Sequence, residues 1–205
     1  MPESRFSAVS MYVECCQQLG ILPASYVVRN MNNERMLLAH HGLRTLGAKA
    51  LCVPLVTNST VIELNLEDNW LEAKGGVYVA EMLRENCYIT NLNLANNRLH
   101  DAGIISVASM LAVSDVIAVT CTNNDCTMWA SNSITQVNVS LEHINLSGNE
   151  MTDISGAHLA QALQQNYTLT SLDASHNILT KNSSKLFGYV LGTRVSTCNV
   201  WLTLA

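Results

Sequence analysis

Apolar and polar residues alternate along "VIELNLEDNWL", which begins at Val61. Leu64 and Leu66 are separated by one polar residue, and this period of two predicts a short strand with one apolar face. The stretch that follows, "KGGVYVAEMLREN", spaces its apolar residues three or four positions apart, which predicts an amphipathic helix. One strand followed by one helix is therefore the basic unit of the chain.

The unit recurs with a fixed period of 28, which is the difference between the numbers of Leu64 and Leu92. Equivalent apolar strand positions are occupied by Met36, Leu64, Leu92, Ile144 and Leu172. A single strand and helix cannot bury their apolar faces alone, so such units stack side by side, each touching its neighbours. The pattern predicts an α/β solenoid of about five repeats over residues 36–194, with parallel strands on one side and helices on the other.

One interval breaks the period, because the numbers of Leu92 and Ile144 differ by 52 rather than by 28. Residues 113–136 account for the excess of 24, and their removal aligns Asn138 with the asparagines at the other helix-to-strand turns. We therefore predict one inserted loop at 113–136. Two origins of this loop stay open. The possible codons of the residues at its two edges are compatible with an intron that was retained in frame. The alternative is a genuine surface loop.

Asparagine and glycine recur at fixed places in the unit. An asparagine stands where the chain turns after each strand, and its amide can both donate to and accept from turn backbone groups. These asparagines are Asn69, Asn97, Asn149 and Asn177. Glycines are expected just before the helices, at Gly75, Gly76, Gly103 and Gly156.

Residues 1–35 and 195–205 do not follow the repeat. The first segment predicts two short helices, separated at Gly20 and Pro23, that cap the first repeat. The tail supplies no polar closing repeat, and we expect Trp201 and its neighbours to cover the apolar end only in part. Such an end leaves room for weak self-association. The tail, like the insertion, is either intron sequence or genuine structure.

Composition narrows the function classes. The 205 residues are 13% charged with a formal net charge of -5, so no basic stripe is available for nucleic acid or an anionic membrane. No apolar run reaches membrane-spanning length, and no secretory signal is visible. Seven cysteines without metal-ligand spacing predict reduced thiols and a cytoplasmic location.

Catalytic chemistry has no evident basis in the sequence. A hydrolase needs a nucleophile, a base and an orienting group that converge, and no such set stands out. His40 and His41 are adjacent and would point to opposite sides of a strand, which disfavours a shared metal ion. We predict a protein that is not an enzyme and binds no cofactor or metal.

These motifs resemble the ribonuclease-inhibitor-like class of leucine-rich-repeat proteins, whose units are close to this length. "HHGLRTLGAKAL", "LNLEDNWL", "LEHINLSGN" and the lead-in "YVECCQQLGILPASYV" are most similar to the leucine-rich repeat-containing protein 74 family. The resemblance implies a right-handed horseshoe arc with a short helical N-terminal cap and protein binding on the concave sheet. The alternative is a regulator of an enzyme, such as a Ran-type GTPase-activating protein. That resemblance brings an acidic tail, whereas the tail here, "VSTCNVWLTLA", has no acidic residue.

Partner binding is predicted on the concave sheet, because strand alternation sends one set of side chains outward in register from every repeat. The candidate residues are Glu63, Asn65, Glu67, Asp68, Asn91, Asn93, His143, Asn145, Ser171 and Asp173. Acidic charge is concentrated at Glu63, Glu67 and Asp68. We therefore expect another protein that offers a basic or donor-rich patch there.

Overall fold

The computed structural model describes residues 7–112, 138–193 and 201–204, so the predicted insertion at 113–136 lies outside the described residues. Two helices come first, and strands and helices then alternate. The elements are α1 (Ala8–Gln18), α2 (Ser25–Asn30), β1 (Arg35–Leu37), α3 (Arg44–Leu55), β2 (Glu63–Asn65), α4 (Glu72–Glu85), β3 (Asn91–Asn93), α5 (His100–Leu111), β4 (His143–Asn145), α6 (Asp153–Gln165), β5 (Ser171–Asp173), α7 (Lys181–Thr193) and β6 (Trp201–Thr203).

The six strands form one parallel sheet in chain order. Leu64 of β2 is in register with Leu92 of β3, as the repeat period predicts. Leu92 is in turn in register with Ile144 of β4, so the pairing continues across the longer interval. The repeat phase inferred from the sequence is therefore the register of the sheet.

The hydrophobic core lies between the sheet and the helices. Leu64 and Leu66 point into it from the strand side, and Val79 and Leu83 of α4 reach it from the helix side, all fully buried. Burial of each such side chain contributes roughly 1.5–3 kcal/mol, and the same set recurs in every unit. Each repeat is thus stabilised by its neighbours rather than by itself.

The recurring glycines lie inside the helices, which corrects the expectation that they precede them. Gly75 and Gly76 belong to the first turn and a half of α4. A Cβ atom on Gly75 would lie 2.7 Å from the Cβ of Leu71, and one on Gly76 would lie 3.1 Å from the Cα of Gly103 in α5. The missing side chains therefore let successive helices approach closely.

The predicted turn asparagines link each repeat to the next. Asn97 is fully buried, and its Nδ2 donates to the carbonyls of Leu66, Leu94 and Ala95 at 2.8–3.0 Å. Its Oδ1 accepts from the backbone N–H of Asn69 at 2.9 Å. The same backbone bond runs from Asn97 to Asn149 and from Asn149 to Asn177. The double role predicted for these amides is confirmed.

A second series of asparagines closes the helix-to-strand turns. The backbone N–H of Asn86 donates to the carbonyl of Met82 at 2.9 Å, at the end of α4. The backbone N–H of Asn138 donates to the carbonyl of Met110 at 3.3 Å, although the whole predicted insertion lies between them along the chain. Met110 occupies the place of Met82 one repeat later. The repeat boundary therefore closes normally on both sides of the residues that are not described.

Carboxylates tie later helices together in a way that the sequence analysis missed. Asp101 of α5 accepts from the backbone N–H and the hydroxyl of Thr152 at 2.9 and 2.7 Å, and from the Ser155 hydroxyl at 2.6 Å. Burial alone would raise the pKa of Asp101, but the hydrogen bonds from Ser155 and Thr152 outweigh it and hold this pKa below its usual value. Asp153 of α6 contacts the following repeat in the same manner.

The N-terminal helices cover the first repeat, as predicted. Tyr12 and Cys16 of α1 are buried, and α1 packs against α3. The Tyr12 hydroxyl accepts from the backbone N–H of Ala24 at 3.1 Å, which fixes α1 relative to the start of α2. Burial raises the pKa of Tyr12 to about 12, so this hydroxyl remains protonated at neutral pH.

The C-terminal tail contributes a sixth strand that the sequence analysis did not predict. Trp201 of β6 is in register with Ser171 of β5, a step slightly longer than the repeat period. Leu202 and Leu204 pack partly against the core. The Trp201 side chain remains 79% exposed. The weak self-association expected at this end stays a prediction.

Candidate functional site

Side chains on the sheet face opposite the helices line one open groove. Eight of the ten predicted binding residues are brought together there: Glu63, Asn65, Asn91, Asn93, His143, Asn145, Ser171 and Asp173. The remaining two, Glu67 and Asp68, follow the end of β2 at the margin of the groove. The strand register places the eight in two rows, because each strand contributes its first and third residue to the same face.

The third residue of each groove strand belongs to what we call the middle row. The backbone fixes the orientation of these side chains. In the repeats of β2, β3, β4 and β5 the Oδ1 atom accepts from the backbone N–H two residues later, at 2.9–3.0 Å. The residues are Asn65, Asn93, Asn145 and Asp173. Since Oδ1 is engaged, each asparagine presents its Nδ2 donors away from its own turn.

The donors of this row differ in their availability. Asn93 Nδ2 donates to the Glu67 carboxylate at 3.1 Å. The Nδ2 groups of Asn65 and Asn145 donate no hydrogen bond within the described part of the chain. Asp173 uses Oδ1 for the backbone and has its second carboxylate oxygen without a partner among the same residues. The row thus offers amide donors along its length and one acceptor at its C-terminal end.

The first row, formed by the first residue of each strand, carries an ion pair at its N-terminal end. Arg35 donates to both carboxylate oxygens of Glu63, at 2.7 and 3.1 Å, and the hydrogen bonds from this pairing raise the pKa of Arg35 above its usual value. The exposed side chain of His143 lies in the middle of the row, with its Nδ1 at 3.5 Å from the hydroxyl of Thr170. The row is therefore polar but not strongly charged.

The acidic cluster predicted at Glu63, Glu67 and Asp68 is largely engaged inside the protein. Glu63 pairs with Arg35, and Asp68 lies 2.8 Å from Nδ1 of His40. Both partners stand one repeat earlier in the chain. Glu67 accepts from Asn93. The cluster is therefore a weaker electrostatic target than its residue types alone indicate, because the compensating groups come from neighbouring repeats.

Strand alternation continued beyond the middle row would place a third row of side chains outward, but most of the residues at these positions are buried. Ala95, Ser147 and Ser175 are at most 9% exposed. The reason is the turn that begins at the middle row, which bends the chain inward as soon as the strand ends. Only Glu67 of this row remains partly accessible.

Groups suited to metal binding do not converge in the described ranges, where no three His, Cys, Asp or Glu side chains could hold one ion. His40 and His41 lie in the turn after β1 rather than in a strand. The His41 ring packs on the Tyr26 ring, with 5.0 Å between the two ring centroids. Cys15, Cys16, Cys52 and Cys87 are free thiols. No described helix is both long and apolar enough to cross a membrane.

Comparison with known proteins identifies the repeats. A family model described as "Leucine Rich repeat" matches residues 57–80, 85–108 and 137–160. The chain is similar in structure to the leiomodin-1 actin-binding site 2, with 20% identity and a TM-score of 0.58 over 75% of this chain and 76% of that one. It is also similar to the tropomodulin C-terminal domain from Caenorhabditis elegans, with 14% identity and a TM-score of 0.54 over 77% of this chain and 83% of that one. At these identities the similarity shows the fold alone, and the predicted α/β leucine-rich-repeat solenoid is confirmed.

Proposed function

We propose that this leucine-rich-repeat solenoid is a non-catalytic interaction module that binds another protein through its concave groove. The observation that carries the proposal is the row of amides whose oxygens are held by the backbone. Preorganised donors lose little conformational entropy on binding, so they suit recognition of a partner. The free thiols support a cytoplasmic location. Kinship with the leucine-rich repeat-containing protein 74 family is part of the proposal and rests on the motifs quoted above.

The chemistry of the groove favours a partner that presents hydrogen-bond acceptors. Neighbouring strands in a sheet are about 4.8 Å apart, so Asn65, Asn93 and Asn145 offer donors at a regular step. Backbone carbonyls of a partner loop can accept from these donors, and Asp173 accepts one donor at the end of the row. This differs from the basic or donor-rich partner expected from the sequence, because Glu63 and Asp68 are already paired.

Two specific candidates can be tested directly. The leiomodin-1 segment of similar fold is named as an actin-binding site, so monomeric actin is the first protein to assay. The alternative function, regulation of a GTPase in the manner of a Ran-type activating protein, is tested by GTP hydrolysis with a panel of small GTPases. Acceleration of hydrolysis would replace the scaffold proposal with the alternative.

The decisive experiment reverses the polarity of the groove without changing its shape. Asn65→Asp with Asn145→Asp keeps the Oδ1 bonds to the backbone and turns two outward donors into acceptors. The matched control, Gln161→Glu with Gln164→Glu, adds the same two charges at exposed positions on α6. We expect proteins captured by the unmodified chain, and purified actin if it binds, to lose at least about tenfold in affinity for the groove variant.

The control variant is expected to bind as the unmodified chain does. Retention of every captured protein by the groove variant would contradict the proposal. So would equal losses in the two variants, since that result would trace the effect to net charge rather than to the direction of the amides.

A further inference from the structure

A stacked pair of exposed side chains stands outside the groove, in the turns between strands and helices. The guanidinium carbon of Arg98 lies 4.1 Å from the centroid of the Trp70 ring. Trp70 is 49% exposed, and Arg98 is exposed as well. Trp70 follows β2 and Arg98 follows β3, at equivalent positions of neighbouring repeats. The pair therefore joins two repeats at the edge of the sheet where the strands end.

The backbone at this position disfavours a bulky residue. Trp70 and Arg98 have φ values of 57° and 55°, in the left-handed region that glycine adopts without penalty. The first repeat has Gly42 at the equivalent place, with φ 61°. A side chain there strains the backbone. Trp70 and Arg98 thus occupy positions whose backbone conformation favours glycine.

The guanidinium has unused hydrogen-bonding capacity. Among the residues that the structure describes, Arg98 pairs with no carboxylate, and Glu150 at the next equivalent position pairs with His100 at 3.3 Å. The Arg98 guanidinium lies over the Trp70 ring and donates no hydrogen bond among the described residues, so its N–H groups are available as a fork that matches both oxygens of a carboxylate. Because the ring holds the guanidinium in place, less side-chain entropy is lost when a ligand binds.

We propose that Trp70 and Arg98 form a second protein-contact site, which binds a carboxylate side chain flanked by an apolar residue. Arg98 donates to the carboxylate, and the apolar neighbour packs on the exposed part of the indole. Arg and Trp are the residue types that most often dominate the energy of protein interfaces. A polyanion such as nucleic acid fits less well, because the net charge of -5 repels a chain of phosphates more strongly than it repels a single carboxylate. The site is independent of the concave groove.

The test uses NMR with the peptide acetyl-Leu-Glu-Leu-amide as the probe and acetyl-Leu-Gln-Leu-amide as its neutral match. We expect the glutamate peptide to shift the Trp70 indole and Arg98 Nε–H signals saturably, with a dissociation constant on the order of millimolar. Arg98→Lys should weaken the binding by at least about fivefold, since lysine keeps the charge but loses the stacked fork. Arg44→Lys is the control, because Arg44 is also exposed, has φ 54°, and neither stacks nor pairs in the described structure.

A second variant separates binding from folding. Trp70→Gly suits the left-handed backbone, so we expect it to lose peptide binding while its midpoint of thermal unfolding stays close to that of the unmodified chain. The proposal is overturned if the glutamate and glutamine peptides bind equally or not at all, or if Arg98→Lys and Arg44→Lys behave alike. Preference for an oligothymidylate over the glutamate peptide would also overturn it, by pointing to a nucleic acid.

Discussion

Replacing Asn97 by alanine is expected to destabilise the solenoid strongly, because one buried amide serves two repeats. Its Nδ2 donates to three carbonyls at 3.0 Å or less, and its Oδ1 accepts from Asn69 at 2.9 Å and from Leu71 at 3.4 Å. Alanine leaves these backbone groups without the partner, at about 1–3 kcal/mol for each buried group left unsatisfied. A water molecule can replace some of the bonds, since the vacated site is polar.

We therefore expect a loss of about 3–5 kcal/mol in the free energy of unfolding, against about 5–15 kcal/mol for the whole stability of a typical domain. Asn177→Ala is the control within the same series. Asn177 also donates to three carbonyls, but it is only partly buried and lies in the last of the four turns. Its replacement should cost about 1–2 kcal/mol.

Urea unfolding followed by circular dichroism of the helical signal measures both losses, with the slope m checked for each variant. The reasoning fails if Asn97→Ala costs less than about 1 kcal/mol, or if the two alanine variants are equally stable. Equal stability would mean that burial does not determine how much these amides contribute to the free energy of unfolding.

Two further predictions concern the helix ends. Deletion of 113–136 should leave the helical signal intact and raise stability by about 1–2 kcal/mol through loop-closure entropy, since Asn138 already bonds to Met110; a large loss of ellipticity would contradict this. Asp101→Asn should cost about 1 kcal/mol at pH 7, discounted for partial exposure. Because the folded pKa of Asp101 is lowered, its contribution is complete above the unfolded value of about 3.9 and disappears as pH falls further. Unfolding curves at neutral and acid pH should show the gap between the two proteins closing; a gap that widens toward acid pH would refute the assignment.

The repeat period predicted most of the architecture, because it specifies which residues stand side by side. Register follows directly: Leu64, Leu92 and Ile144 are neighbours in the sheet as their spacing requires. The same period could have shown that Arg35 neutralises Glu63, since the two residues are one unit apart. Counting charges without comparing equivalent positions concealed that ion pair.

Other features depend on information that the pattern lacks. The strand at Trp201 is out of phase with the repeat period, so the period did not predict it, although Leu202 and Leu204 alternate as the leucines of the other strands do. The direction of the groove amides depends on a bond to the backbone two residues later, as at Asn65, and not on residue type. Trp70 and Arg98 are also one unit apart, so the period places them in neighbouring repeats, but it does not predict their left-handed backbone conformations.

The bond from the Asn138 backbone to Met110 makes this repeat boundary a natural attachment point for foreign domains. The solenoid specifies the boundary by contacts and not by the number of residues between Ala112 and Asn138. A fluorescent protein with neighbouring termini could therefore replace the connection without shifting the strand register on either side. The inserted protein would be attached just before β4, which contributes His143 and Asn145 to the groove, so its emission could report partner docking.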